Sequence, residues 1–176
     1  MAPAVDSSGS GSLVSRMLYR TREQIAGTIY GTILVMAVLA AGSESETIDP
    51  WELDVLMVST VVILWGAHVY AHAIAESLVS GKRLSLDAVL DVARRESAIA
   101  LAAVVPGVVL LLGVVGTYSE STAVSLALGV CMLTLGAQGA RYARMARLSP
   151  LATGVFVLLN LTLGLVIVGL KVTLAG

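Results

Sequence analysis

Charge is scarce in this sequence. Asp, Glu, Lys and Arg make up 13% of its 176 residues, about half the share of a soluble globular domain. Too little polar side chain is present to cover a water-facing surface. Lysine is nearly absent, with Lys82 and Lys171 alone, so arginine carries the positive charge. With the bias toward Ala, Val, Leu and Gly, that points to a GC-rich bacterial genome. A single cysteine, Cys131, lies inside an apolar run. It excludes an intrachain disulfide and reads as a small hydrophobe.

Other scarcities exclude whole classes of chemistry. His68 and His72 are the only histidines. Set four apart on one helix, they cannot clamp a haem from both faces, and membrane di-iron enzymes need many more. Aromatics amount to 5% and the net charge is -1, so no basic, aromatic-studded surface exists for nucleic acid. The chain has no G-x-S-x-G, no phosphate-binding glycine loop, no C-x-x-C and no acidic pair inside an apolar run. Nothing in this inventory argues for an enzyme.

What the chain does have is long apolar runs. Hydrophobic residues make up 57%, and the charges fall in short clusters between the runs. Runs of about 18 residues or more argue for membrane spans. The expected class is all-α: a polytopic membrane protein with five transmembrane helices and a short interfacial helix. The spans are placed at about 25–41, 53–77, 98–115, 122–140 and 151–170. Residues 1–22 read as a cytoplasmic tail, disordered through Ser12 and then basic, and 23–176 as the five-helix domain. Start signals stand at Asp49-Pro50-Trp51-Glu52 and Ser149-Pro150. Ser85 caps a stretch with Leu86, Val89, Leu90 and Ala93 on one face and Asp87, Asp91, Arg94 and Arg95 on the other. Asp91 and Arg95 are spaced to pair. Pro106-Gly107 should bend the third span and free the carbonyl of Ala102.

Orientation follows from the basic residues. Ten of them (Arg16, Arg20, Arg22, Lys82, Arg83, Arg94, Arg95, Arg141, Arg144 and Arg147) fall on one side, and only Lys171 on the other. Excess positive charge marks the cytoplasmic side. The N-terminus is therefore expected inside and the C-terminus outside, in the plasma membrane.

The second span carries the chemistry. His68, His72 and Glu76 recur every four residues and form one stripe. Ionisable groups at membrane depth are costly and tend to be functional. Three roles fit: a metal site built from histidines one turn apart, a proton or ion path, or neutral hydrogen-bonding glue between helices. At the basic mouth, Glu23, Glu96, Gln138 and Arg141 are placed to surround the inner end of that stripe. Gly27 and Gly31 form a G-x-x-x-G pair suited to close helix packing inside one subunit. Pro106 and Asn160 are further packing positions, and Asn160 suits a bond to another helix or subunit. Tyr30, Thr28 and Thr32 can meet the histidine face from the first span.

These residues suggest a proton or cation transport or channel component. Five spans enclose little volume, so a homo-oligomer is expected. The alternatives are a non-catalytic accessory subunit of a larger membrane complex and a membrane-embedded metal-dependent enzyme. The partners expected are the lipid bilayer, further copies or a larger complex, with no nucleic acid. No cofactor is expected unless His68 and His72 take a divalent metal.

Overall fold

A computed structural model describes residues 8–42 and 49–174, and the side chains of 21–42 and 49–169. Residues 1–7 and the acidic loop residues Glu44 and Glu46 lie outside the described residues. Every regular element among the described residues is an α-helix: α1 (Ser8–Gly42), α2 (Pro50–Ser80), α3 (Leu86–Arg95), α4 (Ser97–Leu101), α5 (Val104–Val114), α6 (Glu120–Met145) and α7 (Pro150–Leu174). Five segments are long and apolar enough to cross a membrane: Thr21–Gly42, Pro50–Ser80, Ser97–Val114, Glu120–Met145 and Pro150–Gly169. These coincide with the five runs read from the sequence. The helix of α1 begins at Ser8, ahead of the boundary expected at Arg22, so the basic stretch continues into the first span-length helix.

Local signals set the ends. Asp49 Oδ1 accepts from the Glu52 N–H at 2.8 Å and Pro50 opens α2, which satisfies one of the four N–H groups a helix start leaves orphaned. Ser85 caps α3 by accepting from the Ala88 N–H at 3.2 Å. Ser149 does the same for α7 through the Ala152 N–H at 3.3 Å.

The third span-length segment is interrupted. Its ladder loosens at Ala102 and Ala103, where Ala103 N–H reaches back only three residues to Ala100. The break therefore sits one turn before Pro106-Gly107. Pro106 has no N–H to offer the Ala102 carbonyl four residues back, so the proline acts at a distance of one turn. Regular bonding resumes with Gly107 N–H to Ala103 O at 2.9 Å.

Helix α1 packs against α2, α3, α4, α6 and α7. Its Gly27 and Gly31 face α4. A Cβ built on Gly31 would stand 2.8 Å from Ala102 Cβ and collide with the Ile99 carbonyl, and one on Gly27 would reach Ala98 Cβ at 3.2 Å. The G-x-x-x-G pair thus works inside the chain, letting α1 lie directly on the broken segment. The core between α1, α2, α5 and α6 is Met36, Leu39, Met57, Val61, Leu110 and Leu135 among others. The outside is apolar as well: Ile63, Leu133, Leu151 and Leu158 are more than half exposed. An apolar exterior around an apolar core suggests a membrane protein.

Candidate functional site

The α2 stripe does not stay together as spaced. His68 and His72 point to a shared site, with ring centroids 4.3 Å apart. Glu76 leaves that site and pairs with Arg95, whose Nη2 donates to both carboxylate oxygens at 2.7 and 2.8 Å. The carboxylate that meets the histidines is Glu96, where α3 passes into α4: its Oε2 lies 3.6 Å from His68 Nε2. His68, His72 and Glu96 each offer a ligand atom within 4.8 Å of the others, the one such group of three among the described residues.

Helix geometry explains the exchange. Arg95 and Glu96 are neighbours at the end of α3, so their side chains leave in different directions. α3 is tilted onto α2 by a small apolar seam of Val92, Val89 and Ala93 against Trp65, Val69 and Ala73. That seam presents Glu96 to His68 and Arg95 to Glu76. The pairing of Asp91 with Arg95 expected from their spacing is replaced: Asp91 meets Arg94 at 3.2 Å, a pair exposed on both sides.

Hydrogen bonding fixes one tautomer. His72 Nδ1 lies 3.2 Å from the His68 carbonyl. A carbonyl only accepts, so in that bond Nδ1 carries the proton, and in the neutral ring Nε2 keeps its lone pair. From α1, Tyr30 stacks over His68 with centroids 5.8 Å apart and planes 28° from parallel. Thr28 and Thr32 instead bond back to carbonyls of their own helix, Gln24 and Thr28. Glu96 is the least exposed member, with 14% of its side chain accessible against 33% for His68; His72 is exposed.

Two imidazoles and one carboxylate match the donor set of zinc sites that keep a fourth position open. The same groups also place proton donors and acceptors side by side, as a proton path would need.

The rest of the expected mouth is dispersed. Arg22 lines a cleft of about 580 Å³ between α1 and α6 with Ile25, Ile29, Tyr142 and Met145. Glu23 is half-buried on α1 and Arg141 exposed on α6; neither joins the convergent group. Gln138 Oε1 is buried with no hydrogen-bond partner. Asn160 is buried inside the chain against Gly139 and donates to Phe156 O, 2.9 Å away on its own helix, rather than to another helix. Pro106 is buried.

One polar residue escaped the sequence reading. Asp54 falls inside the second span but was not among the candidate residues, and it is only 6% exposed. The signal was its register: Asp54, Met57 and Val61 share one face of α2, and that face is the buried one.

Comparison with protein-family models, curated proteins and solved structures found no match to this chain.

Proposed function

We propose that this chain is a plasma-membrane protein, N-terminus cytoplasmic and C-terminus outside, that binds a cation at His68, His72 and Glu96 as a component of cation transport. The observation carrying this reading is the convergence of two imidazoles and a half-buried carboxylate within 4.8 Å of one another. The cation is a proton or a divalent metal of the zinc type, both of which suit imidazole nitrogen. Glu96 takes the role that the spacing assigned to Glu76.

The site lies at the basic end of the helices, beside the start of α4 and near Arg94 and Arg95. By the excess of positive charge at that end, it faces the cytoplasm. Val61, Met57, Leu110 and Leu135 fill the interior beyond it. A cation crossing would therefore pass between copies of the chain or require the helices to move, which supports a homo-oligomer. A groove of about 610 Å³ on α6, lined by Ser125, Gly129, Gly136 and Ala137, gives a neighbouring helix room to approach.

The test is direct. Protein purified from metal-free medium is titrated with Zn²⁺, and reconstituted liposomes are assayed for proton and Zn²⁺ flux. Saturable binding and flux, both lost in His68→Ala with the oligomer intact, support the reading. Binding without flux points to a metal-bearing accessory subunit. Absence of both overturns the proposal.

A further inference from the structure

We propose that Asp54 is a proton-binding site, a carboxyl group that stays protonated in an apolar groove between α2 and α5. The inference needs the membrane setting but not the cation site at His68, and it concerns the opposite end of α2.

Three observations carry it. Asp54 is 6% exposed and its Oδ1 is buried with no hydrogen-bond partner. It lies one turn inside α2 and against the interior of α5: a Cβ built on Gly107 would stand 3.0 Å from Oδ1, and Gly107 is seven residues, about 10 Å along a helix, from the end of α5 at Val114. The groove it lines, about 380 Å³, is otherwise formed by Val58, Val62, Ala103, Val104 and Val108 among other apolar residues.

The surroundings select the ligand. A metal ion needs several polar donors, at least three protein groups for zinc and six or more oxygens for calcium. The groove supplies one carboxyl. An ion pair is equally unserved. The segment Ser97–Val114 contains no charged residue, and neither does the part of α1 from Ile33 to Gly42. On α2 the nearest charged neighbour is Glu52, exposed and of like sign, and α6 begins with Glu120. An ionised carboxylate in that setting has one oxygen shut away from any partner and no counter-charge among the described residues, whereas the neutral acid needs no counter-charge. Gly107 completes the site, because any side chain there would press on the carboxyl.

The site sits next to the break at Ala102 and Ala103, and Pro106 follows one turn later. The carboxyl is therefore placed against the one interrupted span-length segment. A proton bound there stands 14 residues, about 21 Å along α2, from His68.

Infrared spectroscopy of the full-length protein in liposomes tests the proposal. At neutral pH, wild type should show a protonated-carboxyl C=O band that is lost in Asp54→Asn, a substitution of nearly the same shape. His68→Ala should keep the band, which separates this site from the cation cluster. Dicyclohexylcarbodiimide, an apolar reagent that adds to protonated carboxyls, should label the peptide containing Asp54 and label it less as the pH rises. That measurement uses wild type alone and stands even if Asp54→Asn fails to fold. A spectrum without a band assignable to Asp54, together with no labelling of its peptide, would overturn the proposal.

Discussion

Glu96 Oε2 stands 3.6 Å from His68 Nε2, joining the end of the amphipathic helix α3 to the middle of the long helix α2. The contact is 28 residues apart in sequence, and it turns a pair of histidines into a three-sided site. Its neighbour Arg95 holds Glu76, so consecutive residues of one helix grip two points of another. The pairings make separable predictions.

Metal binding should depend on Glu96 and not on Glu76. Isothermal titration of detergent-purified protein with Zn²⁺ should give one site per chain. Glu96→Gln and His68→Ala should each weaken it by more than about 10-fold, since losing a ligand costs at least as much as losing the outer-shell group that orients one, while Glu76→Gln leaves affinity unchanged. Equal losses in Glu76→Gln and Glu96→Gln would return Glu76 to the site. Affinity should fall as the buffer is acidified, because imidazole must be neutral to ligate.

The Arg95–Glu76 pair should contribute little to stability. Both side chains are substantially exposed, at 39% and 50%, and exposed ion pairs contribute about 0–1 kcal/mol. Thermal unfolding in detergent should barely shift in Arg95→Gln. A large loss of stability would show that α3 depends on this pair rather than on the Val92 seam.

Gly31 should tolerate no side chain. Its place on the Ile99 carbonyl and Ala102 means that Gly31→Val must push α1 away from α4, an overpacking cost of about 1–3 kcal/mol. Gly27→Ala, which meets only the Ala98 methyl and Ile99, should cost less. A thermal series that ranks the two variants in the opposite order would contradict the α1–α4 contact.

Topology is checked with reporters. Alkaline phosphatase fused after Gly176 should be active and green fluorescent protein dark, as a C-terminus outside the cytoplasm requires. The reverse result would mean that one of the five helices does not cross.

The positions of the five span-length helices were legible in the chain because each depends on a local property, an unbroken apolar run bounded by charge, proline or a capping residue. That His68 and His72 would share one place in the structure was legible for the same reason: their spacing of four lies within a single helix. Which carboxylate completes the site was not. Glu76 has the matching spacing, but a helical stripe states only which side chains share a face, and Arg95 outcompetes the histidines for it. Glu96 enters because Val92 packs on Val69 and Ala73, a contact between segments that no local pattern encodes. Asp54 shows the same division. The apolar run placed it at the outer end of the second span, whereas its burial follows from Gly107, more than fifty residues later, leaving room for its carboxyl. Local sequence determined which segments are helices and which faces are polar. The packing of α3 and α5 against α2 decided which of those polar groups meet, because a side chain finds its partner only when a distant backbone has been brought to it.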